Sequence, residues 1–269
     1  MSKPRSVKPN AAAPAGDPPR RTWLSLFVRL AIFFTLTGTV AASTMLLGIY
    51  FYYAPTLPEF HSLEDYHPKI GTRIYSGDNQ LIGEFAAERR VLVDYDQVPP
   101  LLFQAFISAE DKRFWDHGGV DVLGIMQAAF DKIRKGGKLR GASTITQQAA
   151  KSLLAINESY ETATERSFER KIREALLAIR LEQALTKREI LYIYSNQIFL
   201  GYQAYGVQAA AEHYFRKNVW ELTLAEMATF AGLPQRPSDY SPVSNPEKAL
   251  ARRKYVLRRM LEDGAINQA

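Results

Sequence analysis

The sequence predicts a mainly α domain behind a small β element, preceded by a single transmembrane helix. Three observations predict it. From Leu30 to Tyr53, 24 consecutive residues carry no charge. Residues 72–93 alone show convincing strand character. From Val98 onwards, apolar residues recur at helical spacing between marked caps.

The composition suits this architecture. Over 269 residues, 46% are hydrophobic and 23% are charged, which is globular and not disordered. Cysteine is absent, so a disulfide scaffold, a thiolate metal site and a cysteine nucleophile are excluded. The formal net charge of +6 would ordinarily raise nucleic acid as a partner. However, Lys3, Arg5, Lys8, Arg20, Arg21 and Arg29 stand against Asp17 alone in the first 29 residues. The excess sits on a short tail, and the nucleic-acid reading loses its support.

Residues 1–20, rich in proline and alanine, predict a disordered cytoplasmic tail. Residues 21–53 predict the transmembrane anchor. The uncharged run reaches about 36 Å as a helix, enough to cross a hydrocarbon core of about 30 Å. Tyr50, Phe51, Tyr52 and Tyr53 suit an interfacial aromatic belt, and Arg29 suits the other face. A cleaved signal peptide is the alternative, since Ala41, Ala42 and Ser43 are small. The apolar run continues past them, which favours an uncleaved anchor. Basic residues precede the run, while Glu59, Glu64 and Asp65 follow it. The positive-inside rule therefore predicts a cytoplasmic N-terminus and an extracytoplasmic remainder.

Residues 54–70, with Pro55, Pro58 and Pro68, read as a stalk, and 71–269 as the domain. Thr72–Ser76 and Leu81–Phe85 flank the turn Gly77-Asp78-Asn79, and Val91–Val93 offers a third strand. Helices are predicted from Pro99-Pro100 to about Trp115, then over about 120–135, 144–155, 164–185, 187–200, 203–215, 223–231 and 246–262. Thr223 with Glu226 forms a capping box, Gly232 stops that helix, and Asn245-Pro246 starts the last.

Three segments carry candidate chemistry. Phe103, Phe106, Ile107, Glu110 and Phe114 share one helical face, so Glu110 is a carboxylate in apolar surroundings. Desolvation would raise its pKa and suit a general base or acid near neutral pH. The alternative is a helix-end carboxylate paired with Lys112, Arg113 or His117. The second segment is Gly141–Lys151, where Thr144 and Gln147 predict a capped helix N-terminus that binds an anion, with Lys151 one turn on. A well-capped surface helix explains Thr144 and Gln147 equally, but not the whole polar run from Ser143 to Gln148. In the third, Glu174 lies four residues after Arg170 and three after Lys171. This is either ordinary helical ion pairing or a second active-site carboxylate beside cations that face an anionic leaving group. Tyr205-Gly206-Val207 and Arg252-Arg253 carry no deducible chemistry; the arginine pair reads as a solvated helix face. The four histidines lack H-x-x-x-H spacing, and no G-x-S-x-G, P-loop or G-x-G-x-x-G occurs. No metal site is predicted.

Together these segments resemble the peptidoglycan glycosyltransferases, or biosynthetic transglycosylases, found in class A penicillin-binding proteins. Glu110–Gly119 resembles E-D-x-x-F-x-x-H-x-G, and Gly141–Lys151 resembles G-x-S-T-I-T-Q-Q-x-x-K. Arg170–Glu174 resembles R-K-x-x-E. Lys187–Asn196 resembles K-x-x-I-L-E-x-Y-L-N, departing at Tyr192 and Ser195. Arg252–Met260 resembles R-R-x-x-V-L-x-x-M. Ser152 departs from the usual asparagine, and extra residues around Asn157–Ala163 lengthen the loop before Arg166.

The resemblance implies a lysozyme-like α fold with a head and a membrane-associated jaw. It implies polymerisation of lipid II into glycan for cell wall biogenesis, with inversion at the anomeric carbon and release of undecaprenyl pyrophosphate. Glu110 would be the general base that takes the proton from the acceptor 4-hydroxyl. Glu174 would hold or stabilise the departing pyrophosphate, with or without a divalent cation (Mg or Mn). Lys151 and Arg166 would contact that pyrophosphate, with Ser143, Thr144, Gln147 and Gln148 shaping the site. Asp111, Phe114, His117, Arg170, Lys171 and Asn196 are carried over as further substrate-binding positions. The implied partners are lipid II, the nascent glycan, the inner membrane, and a transpeptidase or other wall-synthesis proteins. The transpeptidase motifs S-x-x-K, S-x-N and K-T-G are not found, so the expectation is either a monofunctional enzyme or the N-terminal part of a longer one. Two other readings stay open: a glycan-cleaving, lysozyme-like hydrolase using Glu110 as acid, and a catalytically silent anchor.

Overall fold

A computed structural model of the chain describes residues 21–68, 72–85, 89–135, 143–157 and 167–267. The predicted tail over 1–20 and Arg166 lie outside the described residues. The chain divides into two units, Met1–Tyr52 and Tyr53–Ala269.

The first unit holds helix α1, Arg21–Tyr53. The stretch Trp23–Thr56 is long and apolar enough to cross a membrane. Its polar side chains are accommodated locally. The hydroxyls of Thr35, Thr39 and Thr44 donate to the carbonyls of Ala31, Thr35 and Val40, at 2.8, 2.8 and 2.9 Å. A threonine satisfied by its own helix needs no water.

The second unit begins with the stretch read as a stalk, and its described part, residues 54–68, is docked. Leu57 and Tyr66 are buried, Gln197 Nε2 donates to the Tyr66 hydroxyl at 2.9 Å, and Arg180 Nη2 donates to the Ala54 carbonyl at 2.9 Å. Strands β1 (Thr72–Tyr75) and β2 (Leu81–Phe85) form the expected antiparallel hairpin, with a bulge between Ile74 and Tyr75. Asn79, at φ 65°, supplies the left-handed turn residue. The third strand is not at Val91–Val93. β3 (Arg89–Arg90) pairs in parallel with β4 (Ala204–Tyr205), away from the hairpin. The segment read as wholly helical thus contributes a strand.

The helices follow as α2 (Pro100–Glu110), α3 (Val122–Lys135), α4 (Ile145–Asn157), α5 (Phe168–Ala184) and α6 (Lys187–Gln197). Beyond β4 come α7 (Val207–Phe215), α8 (Leu224–Gly232) and α9 (Pro246–Glu262). The cap signals hold. Thr223 with Glu226 forms a capping box and Pro246 opens α9; Thr186 with Glu189 forms a further box that the sequence reading did not name. α2 stops short of the expected Trp115, because Asp111 leaves helical geometry at φ −154° and ψ 68°.

α2, α8 and α9 pack together, and α4 packs on α5 and α6. Phe106, Phe114, Leu177, Tyr194 and Phe230 are among the largest wholly buried side chains. Gly119, at φ 96°, and Gly206, at φ 85°, sit where a Cβ would meet the Ala178 carbonyl oxygen at 2.7 Å and the Asn196 carbonyl oxygen at 2.9 Å. Only glycine fits these two close approaches. α3 is different: Val122, Leu123, Met126, Phe130 and Ile133 are all more than 60% exposed.

Candidate active site

The site forms where the end of α2 meets the start of α4. Glu110 is the last residue of α2, not the middle of an apolar face, and Phe114 lies beyond the helix. Its carboxylate is nevertheless buried, and burial pushes its pKa above the ordinary range. Arg252 on α9 opposes that rise: its Nη2 lies 2.9 Å from Glu110 Oε1. Gln148 Nε2 donates to Glu110 Oε2 at 3.3 Å. None of the three neighbours expected as partners takes Glu110. Lys112 pairs with Asp263 at 2.7 Å, Arg113 with Asp121, and His117 with Asp111 at 3.0 Å.

Asp111 explains why α2 ends where it does. Its Oδ2 accepts the Ile145 N–H at 2.9 Å, so it caps α4 from outside. His117 Nδ1 accepts the Gly119 N–H at 3.2 Å, which puts the ring proton on Nε2, facing Asp111. Thr144 and Gln147 close the predicted capping box: Thr144 Oγ1 accepts the Gln147 N–H at 3.0 Å, and Gln147 Oε1 accepts the Thr144 N–H at 3.0 Å. Thr144 Oγ1 also donates to the Gly119 carbonyl at 2.6 Å. The amides of Ile145 and Gln147, read from the sequence as an anion seat, are therefore engaged within the protein.

Glu174 lies on α5, buried, with Lys171 Nζ at 2.8 Å from Oε2 and Arg170 Nε at 3.4 Å from Oε1. Lys171 Nζ also donates to Ser143 Oγ at 2.9 Å. Both carboxylates therefore reach the segment Ser143–Gln148, Glu110 through Gln148 and Glu174 through Lys171 and Ser143. Lys151 is exposed on α4, one turn beyond Gln148. Two cations against one carboxylate at Glu174 leave a locally positive place, which suits a polyanionic leaving group.

Four of the carried-over residues support the site from beneath. Phe114 is wholly buried under Lys187, whose Nζ stands 4.5 Å from the ring centroid. His117 and Asp111 are buried against each other. Asn196 is wholly buried: its Oδ1 accepts the Val93 N–H at 3.0 Å, and its Nδ2 donates to the carbonyls of Val93 and Tyr192 at 3.0 Å. A buried side chain satisfied in this way shapes a site and does not touch its ligand.

Sequence reasoning missed Arg252 as a partner of Glu110. The signal was present, because Arg252 shares a helical stripe with Val256 and Met260, both wholly buried. Tyr194 was also missed. It is wholly buried, its hydroxyl has no hydrogen-bond partner, and burial with the Glu110 and Asp111 charges pushes its pKa well up.

A family model described as Transglycosylase matches residues 78–261. Penicillin-binding protein 1A of Neisseria flavescens is 50% identical over 212 residues, which is 79% of this chain and 26% of that protein. Penicillin-binding protein 1A of Escherichia coli (strain K12) is 45% identical over 242 residues, 90% of this chain and 28% of that protein. The crystal structure of penicillin-binding protein 1A from Haemophilus influenzae shares 29% sequence identity, covering 76% of this chain and 20% of that chain with a TM-score of 0.40. The chain thus spans under a third of the length of the two curated relatives. The family match extends over most of the chain and takes in every motif from Glu110 to Met260; the chain belongs to the transglycosylase family, the peptidoglycan glycosyltransferases that its motifs resemble.

Proposed function

We propose that the domain polymerises lipid II into glycan, with Glu110 as the general base. The observation that carries this reading is the buried Glu110 carboxylate. Its pKa is raised by burial towards the working range of a base, and it is held between Arg252 and Gln148. Glu110 takes the proton of the acceptor 4-hydroxyl. The freed oxygen bonds to the anomeric carbon of the lipid-linked donor from the face opposite the phosphate. The anomeric C–O bond to phosphate breaks, the configuration inverts, and undecaprenyl pyrophosphate leaves with the bonding electron pair. Lys171 and Arg170, gathered by Glu174, and Lys151 on α4 counter the charge that develops on the pyrophosphate. Arg166, outside the described residues, is assigned to the same group by the family resemblance alone.

A resident divalent cation does not fit these residues. Glu174 is flanked by Arg170 and Lys171, and no group of three acidic or histidine residues that could hold a metal occurs among the described residues. No step is routed through one. In this reading α1 anchors the enzyme in the inner membrane with the domain outside the cytoplasm, and the exposed apolar side chains of α3 suit contact with lipid. Holding enzyme and lipid-linked substrate on one surface raises their effective concentration. A transpeptidase remains the partner expected to crosslink the product.

The test is polymerisation of lipid II by detergent-solubilised protein, resolved by glycan length, with Glu110→Gln in parallel. Wild type is expected to lengthen glycan, while Glu110→Gln binds lipid II but makes none. Shortening of preformed glycan, or activity of Glu110→Gln within a few-fold of wild type, would overturn the reading.

A further inference from the structure

Arg252 is held more firmly than an ion pair alone requires. Its Nη2 meets Glu110 Oε1 at 2.9 Å, its Nε donates to the Gly232 carbonyl at 3.3 Å, and its guanidinium stands 4.6 Å from the Tyr255 ring centroid and 5.6 Å from that of Tyr240. Both side chains of the pair are nearly buried, at 11% and 13% exposure. Gly232, the last residue of α8, makes the seat. A Cβ there would stand 2.8 Å from Arg252 Cγ. No positive φ demands a glycine at 232, so the space taken by Arg252 is the local reason for its lack of a side chain.

We propose that Arg252, seated against Gly232, is a positioning residue that holds the Glu110 carboxylate charged and aimed, and so sets the pH at which the base works. The groups that face Glu110 are Arg252 from α9, Gln148 from α4, Tyr194 from α6 and the adjoining Asp111. Arg252 is the one cation among them. A base acts only when deprotonated, so activity rises as pH passes through its pKa. A cation at hydrogen-bond distance lowers a carboxyl pKa by roughly one to three units. Removing it moves the acidic limb of the rate profile upwards. The guanidinium also fixes one carboxylate oxygen and leaves Oε2, held only by the longer contact to Gln148, as the oxygen to receive the proton.

This inference rests on the glycosyltransferase reading, and the experiment separates the two. Lipid II polymerisation by the full chain is followed as kcat/KM against pH for wild type, Arg252→Met, Arg252→Lys and Gly232→Ala. Arg252→Met keeps an apolar stem against the tyrosines and removes the charge. Its acidic limb is expected to move up by about one unit or more. Activity well above the limb should recover to within roughly a hundredfold of wild type, about the loss a misaimed base gives. Arg252→Lys keeps a cation and is expected to return the limb most of the way. Gly232→Ala leaves Arg252 in the chain but pushes it from its seat, and its limb is expected to move the same way as that of Arg252→Met. Circular dichroism checks each fold; should Arg252→Met not fold, Gly232→Ala carries the test. An unmoved limb in the folded variants, whatever the fall in rate, would overturn the proposal. Should wild type make no glycan, the function reading fails, and a 13C NMR titration of the labelled Glu110 carboxyl decides the inference alone. An unmoved Glu110 titration in Gly232→Ala and Arg252→Met would then overturn it.

Discussion

Glu110 feels two opposed influences: burial disfavours its charge, and Arg252 favours it, with burial the larger. A carboxyl whose native pKa is raised binds its proton more tightly when folded. Its contribution to stability is full below the unfolded pKa and is lost as pH rises through the native pKa. Glutamine at this position does not titrate. The melting temperature of Glu110→Gln relative to wild type is therefore expected to fall as pH is lowered from about 8 to about 5. A flat or rising difference in thermal unfolding would show that Arg252 outweighs burial. Tyr194 offers a second test. Its buried hydroxyl has no partner, so Tyr194→Phe removes an unmet polar group and leaves the ring against Phe106, 5.3 Å away by centroids. Urea unfolding is expected to show no change or a gain of up to about 1 kcal/mol. A loss above about 1 kcal/mol would mean that the hydroxyl serves the fold.

Among the elements, α4 depends on a residue outside itself. Asp111 accepts the Ile145 N–H and the His117 Nε2 proton, both buried. Asp111→Ala leaves two donors unmet, and its expected cost is roughly 2–4 kcal/mol in urea unfolding. A cost under about 0.5 kcal/mol would show that water replaces the cap. α3 raises a different question, since its apolar side chains face outwards. With residues 21–53 removed, replacing Phe130 and Ile133 by glutamate is expected to weaken sedimentation of the domain with lipid vesicles severalfold. Unchanged sedimentation would remove α3 from the membrane surface. The legibility of these elements varied with the range of the forces that define them. The start of α8 was readable because Thr223 acts on the Glu226 amide three positions away, and that of α9 because a proline at the first helical position has no N–H to leave unmet. The end of α2 was not, because Asp111 leaves the helix to serve Ile145, 34 residues on.

At the scale of the whole molecule, the second unit has its own core. A chain beginning at residue 54 is therefore expected to unfold cooperatively. A chain beginning at residue 71 lacks Leu57 and Tyr66, both buried, and the hydrogen bond to Gln197. Its stability is expected to be lower by roughly 3–5 kcal/mol, the worth of two buried side chains. Equal denaturant midpoints for the two would show that residues 54–70 are a stalk after all.

The sequence by itself determined the apolar helix, the mainly α domain, the hairpin, most helix caps and the five motifs that assign the family. Each of these is written within a few neighbouring residues, where helical and strand periods and side-chain caps act. The tertiary structure alone decided that Glu110 meets Arg252, 142 residues away, that β3 pairs with β4 in parallel, and that Asp111 caps α4. It also decided that Phe114 and Asn196 lie beneath the site. The reason is physical. A charge taken out of water requires a partner, but which partner it finds is settled by how the helices pack, and no local period encodes that choice.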